Sequence, residues 1–409
     1  MMDTLMRAGL RGLWRLAGAF GIYGLVVWPV AIWLGYTLIA TELSYLHGIR
    51  LNASTVIGRD FVNIWHGGRE ILLHGQEAIY DRPEYRRTLE AAIGARGIYA
   101  YSYPPHMLLF SIPFGLLGYI PALILWTLGG IALFWHAARP WLRDVGLPGW
   151  SVLFLSGTVV NIWAAHFGFF IGALALYGFR LAGTGPESRP WRAGLAFAVM
   201  SVKPHMGVLV PVILAMRRDW RTIVWAGAGV VALVLLSAMA FGPQSWVTWF
   251  SSTLTFQASL VEFVPGREFN YMMPSVSRMI QTVTDNSTAV ALGQGLAALY
   301  ALALLVWAWR RGVALRDLGL LSLPATALIL PYSFNYDLVA FSLFALIAAR
   351  RWGTAWWSPE RLVFGLAFLV PLAQVPLARE GYWVSPLAIA AMMALAGWRM
   401  ARDADRAGA

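Results

Sequence analysis

Thirty of the 31 basic residues in this sequence are arginines, and Lys203 is the exception. It lies in Ser201-Val202-Lys203-Pro204-His205, within an apolar interval of the chain. An ionisable group there is costly to keep and points to function, most naturally pairing with an anion such as a phosphate. A lysine snorkelling to a membrane interface is the other reading. Asp60, in Gly58-Arg59-Asp60-Phe61-Val62-Asn63-Ile64-Trp65, heads an apolar run of helical spacing. Such a carboxylate can act as a general base toward a hydroxyl; it can equally cap the helix that follows. His205 and Arg59 adjoin these two residues and are candidate phosphate contacts. Asn335-Tyr336-Asp337 puts a second acid in another apolar stretch, where helix capping again competes with function.

The remaining chemistry is sparse. His106 and His166 stand in otherwise apolar surroundings, with Tyr103 among the aromatic residues able to stack on a sugar. Interfacial aromatic belts use the same residues. No HxxxH or carboxylate-rich spacing supports a metal, and no phosphate loop or nucleophile elbow is present. Cysteine is absent, which excludes disulfides and thiolate ligands. Neither a metal nor a cofactor is expected; the histidines fit hydrogen bonding to phosphate or to sugar hydroxyls.

These residues need elements to position them, and composition says what kind. Hydrophobic residues make up 59% of the 409 and charged residues only 12%, against about 45–50% and about 25% in soluble domains. That excludes an ordinary soluble enzyme, a disordered chain and a nucleic-acid binder, and leaves a polytopic, all-α membrane protein. The net charge of +11 is explained by position. Seven short groups of arginines, from Arg7/Arg11/Arg15 to Arg399/Arg402/Arg406, punctuate the apolar segments. The positive-inside rule puts them in the cytoplasm, with both termini and the tail 401–409. Each interval between them then goes out and returns. The intervals 144–179 and 193–216 become hairpins of short, broken helices with tips at Asn161–Gly168 and Ser201–His205; the rival reading makes 193–216 one plain span and leaves some arginine loops outside. About 12 membrane segments follow (10–13), and Asp60, Lys203 and every histidine but His136 fall on the outer side.

Residues 41–102 are the one long polar stretch, with seven arginines, Arg96 among them, and seven acids. The spacing predicts one helix from Phe61 to His74, closed by Gly75. A second is opened by Asp81 and Pro83 and ends near Gly94. Both are expected as amphipathic helices at the membrane surface. Segment 104–118, rich in Pro and Gly, is either a span or a re-entrant piece.

In this order the motifs resemble glycosyltransferase family 87 of the GT-C superfamily, the polyprenyl-phosphate-mannose-dependent α-1,2-mannosyltransferase type. Gly-Arg-Asp-Phe…Trp is followed by Tyr-Ser-Tyr-Pro-Pro-His, then Ser-Val-Lys-Pro-His…Arg-Arg-Asp-Trp, and late Asn-Tyr-Asp. The resemblance covers about residues 17–350. It implies one transmembrane glycosyltransferase domain over 1–409, with 41–102 as its outer catalytic loop and Asp60 as base. It makes Lys203-Pro204 and Tyr336-Asp337 family motifs. The partners implied are a polyprenyl-phosphate-linked sugar, a lipid or glycan acceptor and membrane lipids, with no nucleic acid. The Arg-rich composition points to a bacterial inner (plasma) membrane. Two departures stand out: Ala165-His166-Phe167-Gly168 replaces the family's Gly-Gln or Gly-His-Asn, and Asn335 replaces a frequent His. On the residues alone, a transporter or lipid flippase and an O-antigen ligase- or polymerase-like enzyme are the alternatives, although a transporter's inverted repeats are not found.

Overall fold

The computed structural model describes residues 2–94, 97, 99–261 and 268–408; Arg96, the stretch 262–267 and the last residue of the tail lie outside the described residues. Among the described residues the fold is all-helical, and the pairing in the first loop amounts to isolated bridges, His47–Arg50 and Arg50–Val56. The chain opens with α1 (Met2–Ala17) and α2 (Gly24–Ser44). The polar stretch holds α3 (Phe61–Leu73), α4 (Glu77–Tyr80) and α5 (Arg82–Ile93). Next come α6 (His106–Gly115), α7 (Tyr119–Asp144), α8 (Ser156–Ala164) and α9 (Gly168–Leu181). The middle consists of α10 (Pro190–Val199), α11 (Val210–Met216), α12 (Trp220–Phe241), α13 (Gln244–Val261) and α14 (Val276–Gln281). The last third is α15 (Ser287–Arg310), α16 (Leu315–Ile329), α17 (Val339–Trp352), α18 (Pro359–Arg379) and α19 (Ser385–Gly408).

Among the described residues five runs are long and apolar enough to cross a bilayer: Gly9–Ser44, Tyr119–Asp144, Trp220–Phe241, Ser287–Arg310 and Pro359–Arg379. Helices also stand where the other expected segments lie, but α8, α10 and α11 have only 9, 10 and 7 residues. At 1.5 Å per residue each rises roughly 10–15 Å, short of a bilayer core. α6, with 10 residues, is equally too short to be the span considered for 104–118.

The two short-helix intervals do return on themselves. Asp144 at the end of α7 accepts from Arg180 at the end of α9 at 2.5 Å. The N–H of Gly183, just after α9, donates to Asp219 at the start of α12 at 2.6 Å. Further contacts gather all seven basic groups at this one end. Arg15 reaches the Gly146 carbonyl, Arg217 that of Gly312, Arg316 pairs with Asp144, and Arg351 pairs with Asp317 and Asp403. The tips around His166 and Lys203 lie at the opposite end.

Local signals set the boundaries in the polar stretch. Asp81 caps α5 by accepting from the Glu84 N–H at 3.0 Å, and Gly94 closes it with φ 68°. Gly75 ends α3 at φ 75°. The expected surface position of α3 is not what the structure has: Phe61–Gly68 are all buried. Glycines explain this. A Cβ on Gly68 would meet the Ser111 carbonyl oxygen at 2.2 Å, and one on Gly115 would meet the Arg69 nitrogen at 2.4 Å, so α3 and α6 pack backbone to backbone. Gly68→Ala should therefore destabilise by roughly 1–3 kcal/mol. Gly129→Ala, whose Cβ meets nothing within 4 Å, should be neutral or stabilising. Melting temperatures of the two variants check this contrast.

Candidate active site

The turn before α3 delivers Asp60. Gly58 and Arg59 both have left-handed backbone, φ 76° and 37°, and the Asp60 N–H donates to the Ala164 carbonyl at 3.3 Å. Asp60 occupies the N-cap position of α3, yet its side chain makes no capping hydrogen bond. Capping therefore does not explain it. Asp60 is half-buried in the loop region, and its carboxylate accepts from the Tyr336 hydroxyl. Burial pushes it from an ordinary 3.8 up to about 6, with Asp337 adding to the rise and Lys203, Arg59 and the Tyr336 bond opposing it.

Lys203 sits in the break between α10 and α11, where neighbouring residues form only short 3₁₀ turns. It is 5% exposed. Its ammonium donates to Asp337 Oδ1 at 2.5 Å and lies 3.4 Å from His166 Nδ1. Donation to Nδ1 leaves the ring proton on Nε2, which lies 3.1 Å from the Tyr103 hydroxyl. His166 follows Ala165, another left-handed residue at φ 45°. A lysine ammonium has three protons; with one on Asp337 and one on His166, the third is available to the cavity.

That cavity has a volume of about 470 Å³. Seven of the ten expected residues line it: Asp60, Lys203, His205, Arg59, His166, Tyr103 and Tyr336. Three do not. Asp337 stands behind Lys203. Asn335 donates to the Pro371 carbonyl at 3.0 Å, and His106 is held by Ser201 at 3.1 Å and stacked on Trp246. Arg59 lines the cavity with its guanidinium engaged by Glu42 at 2.7 Å and lying 4.1 Å over the Trp163 ring. Sequence reasoning missed Arg82 and Arg86, which also line the cavity. Their spacing of four along α5, offset from the buried Tyr85 and Leu89, was the available signal. Among the described residues no cluster of His or acids has the makings of a metal site.

A bundle of broken apolar helices with a polar cavity at one end defines a membrane-embedded helical protein whose acid, ammonium and imidazole converge on one space. The model of glycosyltransferase family 87 matches residues 101–331, and the chain belongs to this family, a glycosyltransferase family of GT-C type. No curated protein and no solved structure matches the chain. Asp60 and Asn335–Asp337 lie outside the matched segment, so their assignment rests on geometry.

The raised Asp60 carboxyl has a consequence for stability. A folded-state value above the unfolded one means ionisation opposes folding: the cost is full above about pH 6 and vanishes below about pH 3.8. Two units correspond to roughly 3 kcal/mol. Asp60→Asn should accordingly melt higher than the parent at pH 7–8, with the difference gone near pH 4. An equal melting temperature at both pH values would contradict the assigned burial cost.

Proposed function

We propose that the protein is an inverting hexosyltransferase. It moves a hexose, mannose first among them, from a polyprenyl-phosphate donor to a hydroxyl of a lipid- or glycan-linked acceptor at the outer face of a bacterial inner membrane. The observation that carries this reading is that an uncapped Asp60 and the sole lysine face one cavity. The arginine-bearing end of the bundle lies opposite, and the positive-inside preference then argues for an outward-facing cavity.

The chemistry uses the groups present. Asp60, ionised above about pH 6, accepts the proton of the acceptor hydroxyl as its oxygen attacks the anomeric carbon. The bond from that carbon to the phosphate oxygen breaks on the opposite face, and its electron pair leaves with the phosphate. Lys203 meets the developing charge with its third proton, with His205 beside it. Asp337 keeps the ammonium aimed. Arg82 and Arg86 add positive charge to the same space. One displacement inverts the anomeric centre, and one carboxylate suffices, unlike the paired acids of glycosidases. The donor brings its own leaving group, so no metal enters the scheme. Tyr103 and Tyr336 offer faces for the sugar.

The test is transfer from a panel of radiolabelled polyprenyl-phosphate sugars by the protein reconstituted in lipid. Asp60→Asn should lower kcat by about 10²–10⁴-fold with folded protein retained. Lys203→Ala should raise the donor KM, by roughly tenfold or more for a lost charge-assisted contact, and lower kcat as well, since the developing phosphate charge loses its partner. Full activity of Asp60→Asn eliminates the base assignment. An unchanged donor KM in Lys203→Ala removes the phosphate role.

A further inference from the structure

Two cavity residues are each presented by an unusual turn. Arg59 (φ 37°) immediately precedes Asp60, and Ala165 (φ 45°) immediately precedes His166. Left-handed backbone costs an ordinary L-residue about 1–2 kcal/mol, and such strain persists only where the surroundings over-determine it. The two turns are tied together, since the Asp60 N–H donates to the Ala164 carbonyl at 3.3 Å. A second tie comes from outside the cavity. Glu42, near the end of α2, is 9% exposed. Its Oε2 accepts from Arg59 Nη2 at 2.7 Å and from Trp163 Nε1 at 2.9 Å. The Arg59 guanidinium also lies 4.1 Å above the Trp163 ring.

We infer that Glu42 is a positioning residue for this site: through Arg59 and Trp163 it locks the turn carrying Asp60 to the turn carrying His166. One carboxylate oxygen grips the residue next to Asp60 and a residue three before His166, so it sets the separation of the two cavity groups. The lock is not built for hydrogen-bond economy. Glu42 Oε1 and Arg59 Nε are buried with no hydrogen-bond partner among the described residues, so the contact rests on the two bonds to Oε2, the charge pairing and the stacking. The Arg59 side chain is 30% exposed, and a partly solvated ion pair contributes little net stability, which argues for a geometric role over a mere staple. Further contacts brace the same turns: the Tyr119 hydroxyl donates to the Ile57 carbonyl at 2.6 Å, and Trp126 to that of Ala165 at 3.0 Å. They confine any change on losing Glu42 to the lock itself.

The catalytic consequence rests on the hexosyl-transfer reading; the structural one does not. Glu42→Gln keeps the shape and removes the charge, and Trp163→Phe keeps the ring and removes the N–H. Both are measured in the full chain in lipid, by transfer kinetics and by hydrogen–deuterium exchange. For Glu42→Gln, kcat should fall by roughly tenfold or more, with both substrate KM values within about twofold. Segments 57–63 and 163–168 should exchange faster together, while 200–207 is unchanged. Trp163→Phe should show the same pattern in weaker form. A lower melting temperature with wild-type kcat and unchanged exchange overturns the proposal, as does faster exchange in only one turn. If the parent protein transfers no sugar from any donor, the hexosyl-transfer reading fails. The exchange data then decide the lock alone: paired acceleration supports it, and unchanged exchange refutes it.

Discussion

A lysine ammonium cannot be buried alone, and the pairing of Lys203 with Asp337 is the contact around which this molecule is arranged. The two join the break between α10 and α11 to the turn that starts α17, a helix buried along most of its length. Removing either partner leaves a buried charge unmatched, at a cost of about 3–5 kcal/mol. Neither partner therefore changes independently, and the helix break must stay where it is. Non-helical backbone at membrane depth is tolerated only around a cavity, so the break, the pair and the polar space imply one another. His166 and Tyr336 complete the group by packing on the same ammonium.

The charges divide into two populations with different work. At one end, arginines from all seven basic groups or their loops interlock with acids and carbonyls. At the other, Lys203 is matched by Asp337 and Arg59 by Glu42. Among the described residues Asp60 has no ion pair of its own, only the Tyr336 hydroxyl and more distant positive charge. A carboxylate so placed stays basic enough to take a proton near neutral pH while remaining largely ionised. Its poor solvation is a cost to folding that the surrounding packing must offset.

Features encoded by neighbouring residues could be read from the sequence. Asp81, Pro83 and Gly94 delimit α5, and Gly75 closes α3, because caps and left-handed turns depend on residues a few positions apart. The hairpin tips at His166 and Lys203 followed from the alternation of apolar segments and arginines. Tertiary features were not readable. The burial of α3 depends on Gly68 and Gly115 meeting across two helices, and a glycine's need for closeness has no signature of its own. Asp337 was noted as an acid but not as the partner of Lys203. Glu42 was only one of seven acids in a polar stretch. Among the described residues five runs are long and apolar enough to cross a bilayer; the broken helices fall short in length, and α19, 24 residues long, in apolar character, since its second half carries arginines and aspartates.

Joining these strands is the claim that Asp60 and Lys203 flank one reaction path. The most direct measurement is the structure of the protein in lipid with a non-cleavable polyprenyl-phosphonate hexose and an acceptor analogue bound. The phosphonate should lie against Lys203 and His205, with the anomeric carbon between it and an acceptor hydroxyl that hydrogen-bonds Asp60. A phosphonate bound away from Lys203, or an acceptor hydroxyl on the same face of the sugar as the phosphonate, would contradict it.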